Sequence, residues 1–120
     1  MSTKIIYAAL AVTVLTNVVG QILFKLSADR MRESADSILL SYIANPYLWF
    51  AVGFYFAASV VWVWVLQWLP ISVAYPFMSL VFVLVPLAGI LFFNEAQGIR
   101  FFIGLVLILA GIGLVTVRAP

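Results

Sequence analysis

Residues 13–25 read TVLTNVVGQILFK and lie inside the first long apolar run of the chain. Thr13, Asn17, Gln21 and Lys25 recur every four positions. Side chains at that interval share one face of an α-helix, and at about 1.5 Å per residue the row extends roughly 18 Å along it. Gly20 sits beside the row and leaves room for another backbone or a ligand to approach. Polar and ionisable groups are costly in a membrane helix, so they turn toward a bundle interior or a cavity. The row predicts a helix with one polar wall that faces a path and is screened from lipid.

The surrounding composition makes the lipid setting explicit. Of 120 residues, 67% are hydrophobic and only 8% charged. The mean hydropathy is +1.24. A soluble domain carries about a quarter charged residues, which excludes that class. Seven of the ten charges (Lys4, Lys25, Asp29, Arg30, Arg32, Glu33 and Asp36) precede Ile38. With no Cys and no His, thiol chemistry, haem ligation and the usual zinc sites are excluded, and no cofactor is expected. A net charge of +2 is too small to imply nucleic acid as a partner.

A secretory signal would read Lys4 as its charged region and Ile5 to Val19 as its apolar core. No small-x-small cleavage site follows, and the apolar run continues to Phe24. A permanent first span is the expectation.

A span needs about 20 apolar residues. Four runs satisfy this, at about 4–26, 46–68, 71–93 and 98–117. Each is far longer than the roughly ten alternating residues of a barrel strand. The expected fold is an all-α membrane protein, a bundle of four transmembrane helices forming one domain over 1–120, with both termini on one side. The connection 27–45 is the only long loop. Within it Ile38, Leu39, Tyr42 and Ile43 cluster on one helical face, with Asp36 or Ser37 as the cap. A short interfacial helix and a simple lengthening of the second span both fit this pattern.

Asn45-Pro46 opens the second span with a capping amide and a proline at the first helical position. Trp49 and Trp68 fall near its ends as interfacial anchors. Its further aromatics suit either a ligand or lipid. In the third span Pro76 and Pro86 each remove an amide donor and free the carbonyls of Ser72 and Phe82. That predicts a bent helix, either static or mobile. In the fourth, Gly104 and Gly111 share a face, where small residues let membrane helices approach closely. Four helices with one polar wall hardly enclose a pathway, so a dimer is expected. Lys25, Arg30, Arg32 and Arg100 against Lys4 and Arg118 favour the first and third loops on the cytoplasmic side.

The apolar spans hold no carboxylate, which a proton-coupled exporter of cations needs. The only ionisable group on the polar row is Lys25, a cation suited to a phosphate or merely snorkelling to the interface. No nucleophile–base pair, phosphate-cradling glycine loop or metal cluster is present, and an enzyme is not expected.

Three stretches carry a resemblance: GQILFKLSAD (20–29), VLQWLPISVAYPFMSLVFVLVPLAG (65–89) and FFNEAQGIRFFIGLVLILAGIGLV (92–115). They resemble the small multidrug resistance branch of the drug/metabolite transporter superfamily, and within it the bacterial aminoarabinose–phosphoundecaprenol flippase subunits. The resemblance covers almost the whole chain except 27–45, which looks like an insertion. Multidrug members carry a glutamate three residues before the glycine, where this chain has Asn17. They also carry a tryptophan where it has Met78. The flippase-type subunits lack that glutamate too. The resemblance implies a multi-pass protein of the bacterial inner membrane that moves a lipid-linked anionic sugar. Thr13, Asn17, Gln21, Lys25, Tyr75 and Ser79 would line the path. Gly104 and Gly111 would form the contact in a homodimer, or in a heterodimer with a sister four-helix subunit. Glu95 matches an acidic position of the superfamily and is expected to be structural. A multidrug-type exporter and an accessory or scaffold subunit are the competing readings.

Overall fold

A computed structural model describes residues 2–35 and 37–117. It is built from α1 (Thr3–Glu33), α2 (Ile38–Ile43), α3 (Pro46–Leu66), α4 (Ile71–Met78), α5 (Val81–Phe93) and α6 (Ile99–Thr116). Four stretches are long and apolar enough to cross a membrane: α1, α3, the pair α4 and α5 taken as one span, and α6. The all-α, four-span expectation holds.

The first span is longer than its apolar run. α1 has 31 residues, about 46 Å at 1.5 Å per residue, against a hydrocarbon layer of about 30 Å. The stretch 26–33 belongs to this helix and is not loop. Apolar content marks where lipid ends, not where a helix ends. Ala28, Met31, Arg32 and Glu33 are good helix formers, and Arg30 and Arg32 sit in the last turn, where cations complement the helix dipole. Asp29 adds i,i+4 and i,i+3 pairs with Lys25 (3.2 Å) and Arg32 (3.5 Å).

α2 is a separate element and not an extension of the second span. Its cap is Ser37, whose hydroxyl oxygen accepts from the Leu40 N–H at 3.3 Å. Asp36 and Arg118 lie outside the described residues. Ile38 and Leu39 are exposed. Asn45 holds the N-cap position of α3, yet its amide makes no capping bond. The buried Nδ2 donates instead to the Ser27 carbonyl at 3.0 Å, tying the start of α3 to α1. Trp49 lies near the start of α3, its Nε1 donating to the Ile43 carbonyl at 2.8 Å.

The third span breaks at Ser79–Leu80, not at either proline. The Ser79 hydroxyl donates to the Pro76 carbonyl. The backbone there tightens to i→i+3 bonds, Leu80 N–H to Phe77 (3.2 Å) and Phe82 N–H to Ser79 (2.9 Å). A side chain that bonds the local backbone competes with the helical ladder and bends it. Pro86 is accommodated inside α5 without interruption.

α1 is the central element, packed against α3, α4 and α5, while α6 packs on α4 and α5. The array is flat, with extents of 59 × 38 × 18 Å. Its core lies at the end where α1 begins: Ile6 and Leu10 against Val65 and Ala74. Tyr7 meets Phe77 edge-on there, with ring centroids 5.6 Å apart.

Candidate functional site

The polar row of α1 is one face of one helix, but its neighbours divide it. Thr13 and Asn17 line a cleft of about 160 Å³ with Tyr55, Ser59, Trp62 and Tyr75. Gln21 and Lys25 line a second cleft of about 380 Å³, whose far wall is Val85, Pro86 and Gly89 of α5 and then Glu95. Ser79 lines neither cleft, and its hydroxyl is engaged at the break between α4 and α5.

Each polar side chain of the row has a partner. The Thr13 hydroxyl donates to the Ala9 carbonyl and the Asn17 Nδ2 to the Thr13 carbonyl, both at 2.9 Å. These back-bonds satisfy groups that hydrocarbon would leave unpaired. Thr13 is buried. Gln21 reaches across to α3, its Nε2 donating to the Tyr55 hydroxyl. Lys25 pairs with Asp29 and keeps 42% of its side chain exposed.

Tyr55 is the residue that reading the sequence missed. A Cβ built on Gly20 would lie 2.6 Å from Tyr55 Cε2. Gly20 therefore admits a ring from α3, not the backbone or ligand expected. Phe24 stacks on the same ring, with centroids 5.1 Å apart and planes 22° apart. Glycine, glutamine and phenylalanine of one helix thus fix one phenol. The phenol lines the first cleft, and its hydrogen-bond partner Gln21 lines the second. The spacing of Gly20, Gln21 and Phe24 was a usable signal, but the uniformly apolar α3 gave no hint of which ring they receive.

Tyr75 stands on α4 with its ring edge-on to Trp62 at 6.2 Å, and is 59% exposed. Among the described residues no group of three or more acidic, Cys or His side chains could hold a metal ion. Gly104 and Gly111 have no atom of another element within 4 Å of where a Cβ would stand. The α6 face they share is unpacked within the chain.

Four apolar spans with two clefts along the polar row of a central helix define a small multi-pass membrane protein of the transporter type. The chain is 35% identical over 95 residues, 79% of its length and 82% of the relative's, to a Pseudomonas fluorescens (strain Pf0-1) protein named "Probable 4-amino-4-deoxy-L-arabinose-phosphoundecaprenol flippase subunit ArnE". It is 34% identical to identically named proteins of Pseudomonas syringae pv. syringae (strain B728a) and Pseudomonas aeruginosa (strain PAO1). These matches cover 86% and 89% of this chain, and 93% of each relative. No family model and no solved structure matches. The chain belongs to the ArnE family of flippase subunits, as its motifs implied, and is a multi-pass protein of the bacterial inner membrane.

Proposed function

We propose that this protein is one subunit of a flippase that carries a polyprenyl-phosphate-linked amino sugar across the inner membrane, without enzymatic chemistry of its own. The observation that carries the reading is the cleft between α1 and α5, which joins an apolar wall to the Gln21 amide and the Lys25 ammonium. An isoprenoid chain needs the former and a phosphate the latter. The polar row holds no acid to exchange protons with a cationic drug, which weighs against the multidrug reading. The names of the relatives support a lipid-linked amino sugar as cargo and a partner subunit in the assembly.

Thr13, Asn17 and Tyr75 form the deeper part of the route in this reading, and Gln21 and Lys25 its charged mouth. The array is only 18 Å deep in its shortest dimension. A second four-helix subunit docking on the Gly104–Gly111 face would supply a further wall. The test is complementation of a strain lacking its own subunit of this type, reading delivery of the lipid-linked sugar to the outer leaflet. The double variant Gln21→Ala, Lys25→Ala should assemble normally and deliver nothing. Normal delivery by that variant rejects the assigned route.

A further inference from the structure

We propose that the cleft between α1 and α5 selects a head group bearing an amine beside its phosphate, with Glu95 taking the ammonium and Lys25 the phosphate. This rests on the flippase-subunit reading and adds the residue that reads the amine.

Glu95 is not a loose loop carboxylate. Asn94, with φ of 53°, turns the chain back at the end of α5. The Glu95 N–H then donates to the Gly89 carbonyl at 3.4 Å. The carboxylate lies over Gly89, where an added Cβ would collide with Oε2 and stand 3.2 Å from Cδ. A side chain at 89 would displace it. The glycine therefore lets the acid fold against the α5 wall of the cleft, while Lys25 stands on the α1 wall.

Among the described residues no ion pair joins Glu95 to any cation, so the two opposite charges line one cleft without neutralising each other. Lys25 is paired with Asp29, which also holds Arg32, and that trio keeps one positive charge in surplus. Exposed i,i+4 pairs of this kind shift an equilibrium by only about twofold, so a phosphate can displace the Asp29 contact. Ile22, Phe24, Pro86 and Phe93 make the rest of the lining apolar, as the start of an isoprenoid chain requires. The volume of about 380 Å³ is that of a small-ligand pocket. A head group without the amine would leave the exposed Glu95 carboxylate unpaired beside a phosphate, which is a repulsive contact as well as a lost attractive one.

The experiment is calorimetric titration of the full-length protein in detergent with two probes. One is a ten-carbon polyprenyl phosphate carrying 4-amino-4-deoxy-arabinose, and the other is the same molecule with its amine acetylated. The native protein should prefer the free amine by about 10- to 100-fold, as a charge-assisted hydrogen bond provides. Glu95→Gln should erase the preference, weakening the amine probe and, by removing the carboxylate–phosphate repulsion, strengthening the acetylated one. Glu95→Asp should retain part of the preference, and Lys25→Gln should weaken both probes alike. If Glu95→Gln keeps the preference, or weakens both probes in step, the inference is overturned while the flippase reading stands. If the native protein binds neither probe, the flippase reading itself fails and takes the inference with it.

Discussion

At the end where α1 enters, Ile6 and Leu10 close against Val65 and Ala74, and Tyr7 meets Phe77 edge-on. At the end where it leaves, α1 and α5 stand apart around a cleft bearing Lys25 and Glu95. The same helix is therefore sealed to α3 and α4 by apolar packing at one end, and at the other it stays tied to α3 while a cleft opens between it and α5. Lipid tails are as apolar as leucine, so closure in a bilayer comes from close packing and not from escape from water. The sealed end has that packing. The open end has a cation and an anion that a closed seam would have to neutralise or expel.

The largest effect on the fold should come from opening the sealed end. Leu10 is only 2% exposed and is the largest fully buried side chain. Leu10→Ala should cost about 2–5 kcal/mol through lost contacts and a residual cavity. Denaturant titration of the protein in micelles would measure it, beside Glu95→Gln at the open end, which should change stability by no more than about 0.5 kcal/mol. Equal losses at the two sites would erase the distinction between the ends.

Gly20 lies between the ends and comes next. Gly20→Ala places a methyl group 2.6 Å from Tyr55 Cε2, so the ring must move. Overpacking of this kind costs about 1–3 kcal/mol. The displaced ring should also lose its stack on Phe24, which near-ultraviolet circular dichroism would register. An unchanged spectrum and stability would show that α3 does not seat its ring on this glycine.

Tyr55→Phe should be milder. It keeps the ring and removes the hydroxyl that accepts from Gln21. Hydrogen bonds between membrane helices are worth about 0.6 kcal/mol on average. The stability loss should be close to that figure, while delivery of the cargo falls further because Gln21 loses its fixed position at the mouth of the second cleft. A larger stability loss would make this bond part of the seal.

These contrasts also mark what the sequence could disclose. The four spans were legible because lipid imposes one length and one composition on all of them. Ser37 was legible as one of two candidate caps, beside Asp36, because capping chemistry is local. The end of α1 was not, since the hydropathy that reveals a span stops at Leu26 while the helix runs on to Glu33. Nor was the break at Ser79–Leu80, where the Ser79 hydroxyl bonds the Pro76 carbonyl and the backbone tightens. The polar row was legible as a row, but its division into two clefts depends on Tyr55. The placement of Glu95 over α5 depends on Gly89, and the residues between the two spell only an apolar helix end and a turn.

The smallest effect on the subunit's own fold is expected at Gly104 and Gly111, and it sharpens the contrast with Gly20. All three are glycines on membrane helices. A Cβ at Gly20 would meet Tyr55, whereas nothing stands within 4 Å of a Cβ at Gly104 or Gly111. A methyl group there has no collision to make, and exchanging glycine for alanine inside a helix gains up to about 1 kcal/mol per site in helix propensity. The pair Gly104→Ala, Gly111→Ala should thus leave the unfolding of the isolated subunit unchanged or slightly harder. If the α6 face is where a second four-helix subunit docks, the same two methyl groups should hold the helices apart and weaken association. Sedimentation in detergent would read association and denaturant titration the fold. Weakened association with an intact fold assigns these glycines to a partner, as Gly20 is assigned to Tyr55. A fold that weakens instead would mean that α6 is packed within its own chain at this face.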